Sequence, residues 1–89
     1  MVRPPLSTRE RERGRRLGAL LRAARGDRPP ASVSAASGVS LEALRKIESG
    51  RVPTPAFFTV AALAGALAIP LDRLVAELGA VEEAAALSG

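Results

Sequence analysis

The sequence predicts a single all-α domain of five helices. Apolar residues recur every three or four positions along much of the 89-residue chain, which is the period of a helix buried on one face. The seven Pro and eight Gly lie mostly between these periodic segments, where they end helices and form turns. The only aromatic residues are two Phe, which disfavours β-rich folds that depend on aromatic and β-branched side chains. A chain of this length forms one small hydrophobic core.

The first helix is predicted to follow a proline-containing leader. Ser7 or Thr8 can cap a helix that starts in the alternating charges of residues 9–13, so residues 1–13 are either a basic arm or an extension of this helix. Beyond Gly14 the helix is expected to bury one face and to end at Gly26. The residues expected on the buried face are Leu17, Leu20, Leu21 and Ala24.

Two short helices are predicted next, joined by a tight turn. Pro30 suits the first position of a helix because its missing N–H would be unbonded there, and the helix continues to Ser37 with Val33 as its main core residue. Gly38 permits the positive φ of a turn. The third helix is capped by Ser40 and stopped by Gly50. Its expected inward residues are Leu44 and Ile47, joined by Val39 of the turn, and its outward residues are Arg45 and Lys46. This pattern predicts a helix-turn-helix.

Two more helices complete the predicted domain. The fourth is expected to have Thr54 as its cap, to run from about Pro55 to Ala68, and to lie at the centre because it is apolar almost all round, with Phe57 and Phe58 inside. The fifth is expected to have a stripe at Leu71, Leu74, Val75 and Leu78 and to end at Gly79. The predicted domain is therefore 14–79, and 80–89 is a short acidic and apolar tail, either a weak helix or a frayed end.

Charge and composition restrict the function. Residues 1–51 carry twelve basic and five acidic side chains, whereas residues 52–89 carry one and four, so the N-terminal half is a candidate surface for a polyanion. The chain has no Cys and no His, which argues against an enzyme and against a metal site, and no cofactor is expected. No apolar run approaches the roughly 18 residues of a membrane span. We therefore expect a cytoplasmic protein with no membrane partner.

An ordered set of short motifs carries a family resemblance. The set comprises Gly38-Val39-Ser40, the run from Leu44 to Arg51, Pro53, Pro55, Leu63-Ala64 and the run from Ile69 to Leu74. In this order and spacing they resemble the Cro and phage-repressor type (XRE) of helix-turn-helix DNA-binding family, over roughly residues 17–78. The resemblance implies a five-helix, lambda-repressor-like domain whose third helix enters the major groove of double-stranded DNA.

The resemblance also implies roles for particular residues. The implied base contacts are Leu41, Glu42, Arg45 and Lys46, and the implied phosphate contacts are Arg28, Ser32, Ser40 and Arg51. Lys46 can donate to guanine, Glu42 can accept from cytosine, and Leu41 can pack on a thymine methyl group. Two alternatives stay open: Leu41 can equally lie at the margin of the core, and Glu42 can simply stabilise the first turn of its helix. The resemblance further implies a buried ion pair between Glu48 and Arg25 or Arg22.

The sequence thus favours a sequence-specific transcriptional regulator that binds double-stranded DNA. A domain this small usually needs two half-sites, so we expect a homodimer on a palindromic operator, with the fifth helix and the tail at the seam. The alternative is a protein-interaction module, such as the antitoxin or accessory partner of a complex. The alternative depends on the apolar fourth and fifth helices, which could bind another protein.

Overall fold

Five helices make up the fold of the computed structural model, which describes the backbone of residues 6–88 and the side chains of residues 6–79. The helices are α1 (Thr8–Arg25), α2 (Pro30–Ser37), α3 (Leu41–Glu48), α4 (Phe57–Ala66) and α5 (Leu71–Ser88). No strand occurs among residues 6–88. The predicted all-α, five-helix fold is confirmed.

All five helices or their caps contribute to one hydrophobic core. The buried core residues are Leu17, Leu21, Val33, Leu44, Ile47, Leu63, Ala64, Leu67 and Leu74. Val33 is fully buried and is the one buried residue of α2, whose other side chains are small. Because an isolated helix of eight residues is unstable in water, packing around Val33 holds α2 in place.

α1 begins earlier than the core pattern alone indicates. The Ser7 hydroxyl accepts a hydrogen bond from the Glu10 N–H (3.1 Å), and the Glu10 carboxylate accepts one from the Ser7 N–H (3.0 Å). This capping box starts the helix at Thr8, and its hydrogen bonds lower the pKa of the Glu10 carboxyl. Residues 8–13 are therefore part of α1, whereas residues 1–5 of the predicted basic arm lie outside the described residues.

Two glycines of α1 allow it to lie directly against α3 and the loop that follows α3. A Cβ atom placed on Gly18 would be 2.5 Å from the Ile47 carbonyl oxygen and 2.6 Å from the Glu48 carbonyl oxygen. A Cβ atom on Gly14 would overlap Pro53. Both positions need glycine, and through them α1 sets the position of the C-terminal end of α3.

The prediction that α4 is central on all sides is wrong. Its first residue is Phe57, preceded by an extended Ala56, so Thr54 is not its cap. Phe57 and Phe58 are 64% and 82% exposed. The reason is that α4 packs through Leu63 and Ala64 and contacts the short α2, which leaves its N-terminal turn uncovered. Hydropathy shows that a helix is apolar but not which of its sides is covered.

Three further expectations about buried faces and helix ends are wrong. Leu71 and Val75 of the predicted stripe on α5 are 38% and 68% exposed, because the described part of α5 enters the buried core only through Leu74. Ala24 is exposed, because the last turn of α1 only borders an open groove beside Ile69 and Leu74. α5 does not end at Gly79 but continues to Ser88. Glycine ends a helix where the chain needs a left-handed residue, whereas inside a helix it costs only about 1 kcal/mol.

α5 packs along α1, and an exposed ion pair joins Arg16 to Glu77 at 2.7 Å. Within residues 6–88 no single helix is both long enough and apolar enough to cross a membrane. α4 and the first part of α5 reach that length and apolarity only when taken together, and the two helices are bent by 115° relative to each other.

Candidate nucleic-acid interface

The turn between α2 and α3 is held by two serines of α2. The Ser34 hydroxyl donates to the Val39 carbonyl oxygen at 2.6 Å, and the Val39 N–H donates to the Ser37 hydroxyl at 3.1 Å. Gly38, between Ser37 and Val39, has a φ of 77°, as the sequence predicts. Sequence reasoning missed the two serines, because a hydroxyl that satisfies a turn looks the same in sequence as a solvated one.

The two ends of α3 are also defined by hydrogen bonds. The Ser40 hydroxyl accepts from the Ala43 N–H at 3.1 Å, which confirms it as the N-cap. At the other end Gly50 has a φ of 79°, and the Val52 N–H donates to the Lys46 carbonyl oxygen at 3.2 Å. The core buries one face of α3 through Leu44 and Ile47, so the opposite face is fixed toward solvent.

An open depression of about 590 Å³ lies on this outer face. It is lined by Leu41, Glu42, Arg45, Lys46, Ser49 and Arg51. The lining includes all four residues that the resemblance implies as base contacts, together with one implied phosphate contact. Three cations and one carboxylate give the depression a net positive charge, which suits a polyanion.

The side chains around the depression differ in exposure and in their contacts. Leu41 is half-buried at the margin, and Arg45 is exposed. Glu42 Oε1 lies 3.0 Å from Lys46 Nζ, one helical turn away, with the two side chains 78% and 45% exposed. Glu42 and Lys46 therefore face the solvent as a pair.

The implied phosphate contacts lie at four places: the linker before α2, α2 itself, the N-cap of α3 and the loop after α3. Arg51 is exposed and directly follows Gly50, and Ser40 borders a groove between α3 and α4. Ser32 is exposed in the first turn of α2. Arg28 is also exposed, but its guanidinium donates to the Ala66 carbonyl oxygen at 3.0 Å at the end of α4. A phosphate at Arg28 would have to use its remaining N–H groups.

A bidentate ion pair ties α1 to the end of α3. Arg25 Nε lies 2.8 Å from Glu48 Oε2, and Arg25 Nη2 lies 2.9 Å from Glu48 Oε1. The two side chains are only 14% and 10% exposed. Arg25 Nη1 also donates to the Arg28 carbonyl oxygen at 2.9 Å, so one guanidinium joins α1, α3 and the linker before α2. Its hydrogen bonds to Glu48 raise the pKa of Arg25. Arg25, rather than Arg22, therefore occupies this position.

An all-α bundle that buries one face of its third helix and presents a cation-rich opposite face is the architecture of a helix-turn-helix protein. A family model described as a helix-turn-helix domain matches residues 16–78, and the chain belongs to this family. No curated protein matches the chain. The match is consistent with the XRE type, and proteins with this domain bind DNA and are not typically enzymes. Among the described residues, no group of three or more Asp or Glu side chains could hold a metal ion.

Proposed function

We propose that this protein is a sequence-specific transcriptional regulator that inserts α3 into the major groove of double-stranded DNA. The observation that carries the proposal is the outer face of α3. Its side chains surround an open, cation-rich depression while the opposite face is held in the core. The proposed base contacts are Leu41, Glu42, Arg45 and Lys46, and the proposed phosphate contacts are Arg28, Ser32, Ser40 and Arg51. The cytoplasmic location expected from the sequence stays a prediction.

The proposal predicts binding that weakens steeply with salt, because each neutralised phosphate releases condensed counterions. Arg51→Ala should weaken binding to all duplexes alike. The decrease of log affinity with log salt should become less steep by about one. Arg73→Ala removes the same charge from α5, in the acidic half of the chain, and should leave the slope unchanged. Fluorescence anisotropy with several duplexes across a salt series measures both variants. Affinity that does not change with salt would overturn the proposal.

We also propose that two copies bind a palindromic operator as a dimer. One helix-turn-helix contacts few base pairs, and each mismatched pair costs only about 1–3 kcal/mol, so a second half-site adds needed specificity. The structure offers an apolar surface for the second copy. Phe57 and Val75 are 64% and 68% exposed, and with Leu71 they border a groove of about 310 Å³ between α4 and α5. The proposed seam is this groove, the side of α5 that lines it, and the tail.

A charge placed in this groove should prevent dimer formation. Val75→Glu is expected to give a monomer and to weaken binding to a full operator by at least about tenfold, with little effect on a half-site. Ala76→Glu is the matched control, since Ala76 is exposed next in the helix but does not line the groove. Analytical ultracentrifugation gives the oligomeric state, and a mobility-shift titration gives the affinity. A wild-type chain that stays monomeric on its operator would contradict the dimer.

The alternative function is a protein-interaction module, such as the antitoxin or accessory partner of a complex. Phe58 favours it, because this side chain is 82% exposed and stacks edge-to-face on Phe57 with ring centroids 5.3 Å apart. Phe is one of the residue types enriched in protein interfaces. A chain that binds no duplex at any salt concentration, and that stays monomeric until a partner protein is added, would favour this alternative.

A further inference from the structure

The Glu42–Lys46 ion pair lines the depression of the proposed interface. We infer that the two side chains act together as one unit that recognises a single G·C base pair. This inference rests on the proposed function and names what the depression recognises. It differs from assigning a separate base to each side chain, because the two residues already contact each other.

The spacing of the pair is close to that of a base-pair edge. Glu42 Oε1 and Lys46 Nζ lie 3.0 Å apart. In the major groove, guanine O6 and cytosine N4 are joined by a hydrogen bond of about 2.9 Å. The Glu42 acceptor can therefore face the cytosine N4 donor while the Lys46 donor beside it faces the guanine O6 acceptor. Both DNA contacts can form without breaking the ion pair.

The remaining hydrogen-bonding capacity of each side chain also matches a G·C pair. The ammonium group has three N–H donors, of which the carboxylate takes one, so two remain for guanine O6 and N7. Glu42 Oε1 uses one lone pair for Lys46, so its other lone pair can accept from cytosine N4, and the side chain is 78% exposed. Guanine is thus contacted by Lys46 and its partner cytosine by Glu42.

An A·T pair matches this unit less well. It also places a donor beside an acceptor, but the adenine N7 acceptor then lies on the side of the carboxylate, and a thymine methyl group lies beside the ammonium. The second free donor of Lys46 has no acceptor there. The order of Glu42 and Lys46 along α3 also determines which strand carries the guanine.

The single carboxylate in the depression supports this inference. A carboxylate beside phosphates weakens binding to every sequence, so it does not serve affinity for DNA in general. It does serve specificity, because it can accept from cytosine N4 and is repelled by acceptor groups on other pairs. Glu42 therefore acts as a specificity determinant and also holds Lys46 in place.

The test selects bound duplexes from a random pool with the wild-type chain, Glu42→Met, Lys46→Met and the double variant. Both single variants should lose preference at the same base pair, each by roughly tenfold. The double variant should lose no more than either single variant, because the two residues form one unit. Glu12→Met is the control, since Glu12 forms a similar exposed ion pair with Arg15 on α1, and it should leave the preferred sequence unchanged. Circular dichroism melts should show that all variants are folded.

The possible outcomes separate this inference from the function on which it rests. If Glu42→Met and Lys46→Met change different base pairs with additive effects, the residues act separately and the inference is overturned. The inference is also overturned if Glu42→Met leaves the selected sequence unchanged, because Glu42 then only stabilises its helix. If the wild-type chain selects no duplex, the proposed function itself fails.

Discussion

Replacing Gly18 with Ala should destabilise the protein by about 2–3 kcal/mol, although the same change inside an ordinary helix stabilises by up to about 1 kcal/mol. The new Cβ would lie 2.5 Å from the Ile47 carbonyl oxygen and 2.6 Å from that of Glu48. These are backbone atoms, so the clash is relieved only if α1 and α3 move apart. The free energy of unfolding, measured by urea titration, tests this expectation.

The same substitution at Gly65 is the matched control. Among the described residues, no atom outside its own helix turn would lie within 4 Å of a Cβ at this position in α4. Gly65→Ala should therefore stabilise the protein by roughly 0.5–1 kcal/mol. If Gly18→Ala also stabilises it, α1 is not held against α3 as tightly as the structure indicates. Because the movement would displace α3, Gly18→Ala should also weaken DNA binding.

Replacing Glu48 with Met is expected to lower the melting temperature by at least about 10 °C. The change leaves the Arg25 guanidinium largely buried without its carboxylate partner. Removing one member of such a pair is more harmful than removing both, because the remaining charge has lost its compensation. Thermal unfolding followed by circular dichroism measures the effect.

Two controls separate burial of the pair from loss of charge. The double variant Arg25→Met with Glu48→Met should melt at a higher temperature than Glu48→Met alone. Glu77→Met breaks the pair with Arg16, whose side chains are 45% and 41% exposed, and should change the melting temperature by only a few degrees. Equal effects at Glu48 and Glu77 would show that the Arg25–Glu48 pair behaves as a surface pair.

The Arg25–Glu48 pair has a consequence for function as well as for stability. Together with Gly18 it determines how the C-terminal end of α3 lies against α1. The outer face of α3 carries the proposed base contacts, so small movements of α3 would change their positions in the groove. We therefore expect Glu48→Met to weaken DNA binding even at temperatures at which it is folded.

The sequence alone determined the number of helices and most of their ends. Ser40, Gly38 and Gly50 define the ends of α2 and α3 through contacts with residues only a few positions away, and such local contacts can be recognised from sequence. The inward residues Leu44 and Ile47 follow from helical periodicity for the same reason. The residues proposed to contact DNA came from the family resemblance, and their contacts stay predictions.

Only the tertiary structure decided which apolar surfaces are covered and where helices touch. Phe57 and Phe58 were predicted to be buried because their helix is apolar, yet no neighbouring helix covers them in the described part of the chain. The need for glycine at Gly18 depends on two carbonyl groups about thirty residues away. Local sequence determines helices and caps because those depend on neighbours in the chain. Burial and close packing depend on which distant elements meet in space, and that appears only in the folded structure.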